Sequence, residues 1–184
     1  MSLSREELQE LRAYKKSTDD ENIRFKDIIK HKLLNDKRII HVLNNKSLNE
    51  DEPDSYYLRN IFPTYILPNV IVDTDNYICF DTKTISTDLK NGKIIKTHYI
   101  IFHILCDAKT VFDKETGICR HDLLAALVKD NFAWTNDLGH QLIPQEESPS
   151  VVDDKFSTRT LMFAVDTTNA ITRGAKSSSK VINR

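Results

Sequence analysis

The sequence predicts an α+β fold: an antiparallel β-sheet built on one long hairpin, flanked by helices, in a single domain. Three observations predict it. Residues Tyr77–Ala108 form two strand-like arms around Asn91-Gly92, a pair suited to a two-residue turn that needs φ > 0 at both central positions. The second arm is dense in β-branched and aromatic residues and outruns the ordinary strand of ~5–6 residues. On either side of the hairpin, apolar residues recur at helical spacing.

The elements follow in chain order. Ser4 with Glu7 is a capping box opening a charged helix that carries Leu8, Leu11 and Tyr14. Ile23, Phe25, Ile28, Ile29, Leu33 and Leu34 mark a second helix, and Ile39, Ile40, Val42 and Leu43 a short third one beyond Asn35-Asp36; both stripes are expected to face the core. Residues 44–56 are polar, with four acids from Glu50 to Asp54, and read as a solvated loop. They lack the glycine and alternating ligands of a calcium loop. Leu58–Val72, punctuated by Pro63 and Pro68, is expected to cross the domain in extended form.

After the hairpin, Val111–Gly117 reads as a turn-rich link. His121–Phe132 is an amphipathic helix burying Leu123, Leu124, Leu127, Val128 and Phe132, with Trp134 expected to cap the same apolar surface. Gly139–Ser150, with Pro144 and Pro149, reads as a loop or a short strand near Leu142-Ile143. Thr158–Asp166 is a closing strand that alternates Leu161, Phe163 and Val165 against Thr160, Met162 and Ala164. The expected organisation is a charged N-terminal helix (1–20), one α+β domain (21–172) and a basic tail (173–184).

At 184 residues, with 26 Lys plus Arg against 27 Asp plus Glu, the net charge is −1. That balance gives no basis for wholesale attraction to nucleic acid or to anionic membranes. No run approaches the ~18–20 apolar residues of a membrane span, and the polar, acidic first turn is unlike a secretory signal. Only four glycines argue against a glycine-rich phosphate loop. The three cysteines, Cys79, Cys106 and Cys119, form no Cys-x-x-Cys unit and read as reduced, buried thiols.

Candidate chemistry is sparse. Asp75, Asp81 and Lys83 resemble the constellation of the PD-(D/E)xK nucleases, in which carboxylates hold Mg²⁺ and the lysine positions the attacking water. Against this, Asp75 stands just before Asp81 with no turn to bring a second strand alongside. The six histidines (His31, His41, His98, His103, His121, His140) include no His-x-x-x-His pair. His98 and His103 must lie on opposite faces of one strand. There is no Gly-x-Ser-x-Gly elbow, and Cys119 beside Arg120-His121 is a sequence neighbour pattern, not a constellation. The residues call for no enzymatic activity and no cofactor.

The long arm carries a different signal. Ile100, Phe102, Ile104 and Cys106 make one apolar face, while Tyr99, Ile101 and Leu105 make the other nearly apolar too. A half-solvated antiparallel strand should alternate more cleanly. Both faces are therefore expected to be covered, by helices of this chain or by another subunit. Ile101, His103 and Leu105 are the candidate interface residues, and the basic tail residues Arg173, Lys176, Lys180 and Arg184 a candidate protein tether.

The order of elements resembles the tail terminator or tail-completion proteins of long-tailed bacteriophages. The resemblance runs through the helical segment Phe25–Asp36, the short helix Ile39–Leu43 and the Pro-bearing stretch Ile61–Pro68. It continues through the arm Tyr99–Asp107, the helix Arg120–Val128 and the strand Thr160–Val165. The charged helix at 5–16 and the acidic loop at 44–56 are additions to that pattern. The resemblance implies a virion protein assembled in the host cytoplasm, with no chemistry of its own. It implies a ring, commonly sixfold, that closes the tail tube and joins it to the head, the subunits meeting head to tail. The implied partners are copies of itself, a tail tube protein and a head-completion or connector protein, with no membrane and no specific nucleic acid. The alternatives are an Mg²⁺-dependent nuclease built on Asp75, Asp81 and Lys83, or a small cytosolic adaptor.

Overall fold

Strands β2 (Tyr77–Lys90) and β3 (Lys93–Asp107) pair antiparallel from Tyr77↔Leu105 to Lys90↔Lys93, forming the spine of the molecule. This computed structural model describes residues 3–16, 21–65, 75–90, 93–152 and 155–168. The turn expected at Asn91-Gly92 lies outside those residues. The register slips between Ser86 and Leu89, an irregularity of the kind that sharpens local twist.

β5 (Phe156–Thr168) pairs antiparallel along the other side of β3, from Asp107↔Phe156 to Ile95↔Thr168. Beyond it lies β4 (Ile143–Val152), and on the far side of β2 the two-residue β1 (Ile61–Phe62) pairs in parallel. The sheet thus has five described strands in the order β1-β2-β3-β5-β4 and is mostly antiparallel.

β4 corrects the expectation of a loop or short strand. Proline cannot donate to a ladder, so a strand with two of them survives only at an edge, and β4 is that edge. Pro144 pairs with Phe163 and Pro149 with Arg159. Both partners fall in the same phase of β5, because the register shift between Pro144 and Glu146 restores the alternation. β1 also corrects the plain extended crossing expected for 58–72. Leu58 takes a left-handed φ of 61°, which turns the chain so that Ile61 and Phe62 reach Ile78 and Cys79; residues 66–74 of that stretch lie outside the described ones.

Three helices cover one face of the sheet: α2 (Glu21–Asn35), α3 (Lys37–Leu43) and α4 (Arg120–Phe132). Their apolar stripes meet the inward residues of the strands in one core. Phe25, Ile29, Leu33, Ile39, Leu43, Leu124, Val128 and Phe132 pack against Ile78, Phe80, Ile100, Phe102, Ile104, Leu161, Phe163 and Val165. Phe102 sits at its centre, with ring contacts to Phe80, Phe132 and Phe163. Ile23 is the member of the α2 stripe left exposed. Trp134 does not cap this core: it is 60% exposed, because its φ of 62° swings the side chain outward at the end of α4.

α1 (Arg5–Ala13) begins with the expected capping box, Ser4 and Glu7 exchanging backbone-to-side-chain hydrogen bonds. It buries none of its residues. The 44–56 loop ends in a 3₁₀ turn at Pro53–Tyr56 that drives Tyr56 into the core. No described helix is long and apolar enough to cross a membrane.

Candidate functional site

The face of the sheet turned away from the helices is built by strict alternation. In β3 the inward residues are Ile100, Phe102, Ile104 and Cys106; the outward ones are Tyr99, Ile101, His103 and Leu105. Pairing extends each outward residue into a cross-sheet row. Tyr99 lies between Lys83 and Ala164, and Ile101 between Asp81 and Met162. His103 lies between Cys79 and Thr160, and Leu105 between Tyr77 and Thr158.

One end of this face is closed by the chain itself. Tyr77, Cys79, Leu105 and Phe156 form a second buried cluster, with Phe62 packed on it. Leu105 is only 1% exposed, so it is consumed inside the subunit and offers nothing to a neighbour. The Tyr65 ring packs at a tilt against His103, ring centroids 4.5 Å apart, and His103 Nδ1 lies 3.1 Å from Thr160 Oγ1. Burial pushes the His103 pKa below its usual value, against the pull of Asp81. The other end is open: Tyr99, Ile101, Met162 and Ala164 remain partly exposed, with Ile85 and Ile143 exposed at the margins.

The tail residues Arg173, Lys176, Lys180 and Arg184 lie outside the described residues. Of the candidate interface, the structure therefore places Ile101 in the accessible part of the sheet face, while His103 is partly buried beneath Tyr65. Tyr99, Met162 and Ala164 join Ile101, and their signal in the sequence was the alternation of β3 and β5 taken together.

Two members of the nuclease-like trio, Asp81 and Asp75, are held in separate arrangements. Asp81 Oδ1 accepts from Lys26 Nζ at 2.6 Å, and Asp75 Oδ2 accepts from Asn45 Nδ2 at 3.2 Å. Asn45 in turn donates to Asn60 Oδ1 at 2.8 Å, while Asn60 donates to the Asn76 carbonyl and Asn76 to that of Leu43. This buried amide network ties the end of α3 to the entry of β2. No group of three or more His, Cys, Asp or Glu among the described residues is placed to hold a metal ion.

The histidines are bound up locally. His41 stands between Glu50 and Glu115, and the hydrogen bond to Glu50 raises its pKa above the usual value. His98 is on the helix side and His103 on the outer side, as their odd separation requires. His98 Nε2 meets Glu21 Oε2 at 2.8 Å, and its Nδ1 meets Thr84 Oγ1 at 2.9 Å. The Thr84 hydroxyl also lies 3.2 Å from Asn22 Oδ1. That cluster locks the start of α2 to the sheet.

Cys79 and Cys106 are buried free thiols, and burial raises the Cys106 pKa strongly. Cys119 is partly exposed, which departs from the buried thiol expected, and it occupies the N-cap of α4 without making a side-chain capping bond.

Among curated proteins none matches the chain. The family model YomW matches residues 36–165, from the N-cap of α3 into β5 and well over half of the sequence. With α3, the hairpin, α4 and the closing strand all inside the match, the chain belongs to the YomW family, a phage-derived family name.

Proposed function

We propose that this protein is a structural subunit of a phage particle: a homo-oligomeric ring, sixfold in the simplest case, that terminates the tail tube and joins it to the head or neck. The observation that carries this reading is the open half of the outer sheet face. Tyr99, Ile101, Met162 and Ala164 form an apolar patch on rigid, fully paired strands. Strands pinned on both sides hold such a patch at fixed geometry, which suits repeated, identical contacts around a closed ring. Its apolar centre with Lys83 and Glu146 nearby has the layout of an interface core with a polar rim. The phage derivation of the family name supports the setting.

In this reading the protein performs no chemistry. Its partners are neighbouring copies, the tube protein below and a head-completion or connector protein above, and its place is the virion. Negative-stain electron microscopy of the purified protein at high concentration, classified without imposed symmetry, tests it. Rings with a central opening are the expected result. Particles that remain single subunits at high concentration and fail to cap isolated tail tubes would contradict it.

A further inference from the structure

The link between β3 and α4 is braced more heavily than a passive loop requires. Asp113 accepts from the backbone and hydroxyl of Thr116, and from Arg120 Nη2 at 2.6 Å. Arg120 also donates to the carbonyls of Thr110 and Val42, both at 3.1 Å. Gly117, at φ 71°, supplies the left-handed turn that lets its N–H reach the Asp113 carbonyl. On this rigid frame Phe112 points outward and is 58% exposed.

Phe112 forms one wall of a groove of about 360 Å³ between this loop and the residues following α3. Lys46, Lys109 and Lys114 line it, and no ion pair holds any of the three among the described residues. The other charges are engaged: Arg120 binds Asp113, and Glu115 reaches His41 at 3.4 Å. The groove is thus concave, carries surplus positive charge and has one aromatic face on a braced backbone, although the chain as a whole is near neutral.

We propose that this groove binds a nucleotide, free or as one residue of a single strand, with phosphate against the lysines and base stacked on Phe112. Lysine ammonium groups suit phosphate as mobile point charges. An exposed phenyl ring suits any base, because every base has a π-face. The volume falls in the range of small-ligand pockets, roughly 300–1,000 Å³, and matches one nucleotide better than the broad, flat patch a folded protein partner would need.

The test is calorimetric titration of the full chain with ATP, AMP and adenosine, beside fluorescence anisotropy with a labelled oligothymidylate at low and high salt. The expected result is binding of ATP or the oligonucleotide, with adenosine much weaker. Phe112→Ala should weaken that binding by about tenfold, and the triple change Lys46→Gln, Lys109→Gln and Lys114→Gln should abolish it. The thermal midpoint of each variant should stay unchanged, because all four side chains are exposed. Tight AMP binding would assign the site to free nucleotides, and binding of the oligonucleotide alone would assign it to a strand. No binding of any probe overturns the proposal. So does binding that is indifferent to Phe112→Ala, which would be general attraction to lysines. Either failure leaves the ring reading untouched, since the groove and the sheet face share no residue.

Discussion

His98 Nε2 lies 2.8 Å from Glu21 Oε2 with both side chains almost sealed from solvent, 2% and 6% exposed. Lys96 Nζ stands 3.7 Å from the same carboxylate oxygen. Phe25 meets the imidazole edge-on, its ring centroid 5.2 Å away. Burial favours a neutral His98: Nε2–H donates to Glu21, and Nδ1 faces the Thr84 hydroxyl, whose one proton is also within reach of Asn22 Oδ1. Glu21→Gln keeps the shape and removes the charge. It should cost about 1–3 kcal/mol, read from denaturant unfolding at neutral pH.

The same cluster sets a pH dependence. Burial holds the His98 pKa below its usual 6.5, against the opposing pull of Glu21; His103 and His121 are lowered by the same cause. As pH falls beneath about 6.5 the unfolded chain takes up these protons first, so stability drops. His41 acts in the opposite sense: its stabilisation is present below about 6.5 and fades as pH rises through its raised value. It is largely exposed, so solvent screening makes its share small. Unfolding free energy should therefore rise from about pH 5 to about pH 7. A flat or falling profile across that window would contradict the buried, neutral state assigned to His98.

Asp36 caps α3 from a half-hidden position. Its carboxylate accepts from the Arg38 backbone at 2.9 Å and from Asn131 Nδ2 of α4 at 2.7 Å. The Arg38 side chain, above all, pulls its pKa down to about 2. Asp36→Ala loses the cap and the link between α3 and α4, and should cost about 1–2 kcal/mol. Because the folded pKa is depressed, this contribution holds above the ordinary carboxylate range and is lost as pH falls toward about 2. Urea denaturation of the variant at neutral and acid pH reads both effects: the two proteins should converge in acid.

Leu105 and Ile101 stand on the same face of β3 and separate folding from assembly. Leu105 belongs to the buried cluster with Tyr77, Cys79 and Phe156. Leu105→Ala should cost about 2–5 kcal/mol, visible as a lower denaturation midpoint in the isolated subunit. Ile101 is partly exposed, and Ile101→Ala should move that midpoint much less. Equal losses would show that the chain itself covers Ile101.

What the sequence made legible was whatever had a local period. The β3 and β5 alternation, the α2 stripe and the Ser4–Glu7 box all stand within a few residues of one another, and all appear in the structure. β4 was not legible because Pro144 and Pro149 signal a break; only the three-dimensional fact that this strand is an edge makes them tolerable. β1 is two residues long and has no period to read. The outward turn of Trp134 depends on one dihedral. Glu21 and His98 come together only because the sheet carries β3 under α2, so no spacing announces the pair. The apolar outer face was legible from Tyr99, Ile101 and Leu105, but its division into a covered end and an open end depended on Phe62 and Tyr65 folding back over it.

The edge prolines lead to a prediction of their own. An open sheet edge invites pairing with another chain, and proline blocks it. With Pro144 and Pro149 in one phase of the ladder, the combined change Pro144→Thr and Pro149→Thr should restore donors to the edge and increase disordered self-association. Light scattering at rising concentration checks this; unchanged scattering would show that the prolines do not guard the edge.

In the proposed ring, subunits meet through the open half of the outer sheet face. Sedimentation velocity of the wild type beside Ile101→Asp, across a wide concentration range, tests it most directly. A concentration-dependent oligomer is expected for the wild type. A 21.3 kDa monomer that stays folded is expected for the variant. Identical sedimentation of the two proteins, either both assembled or both monomeric, would contradict it.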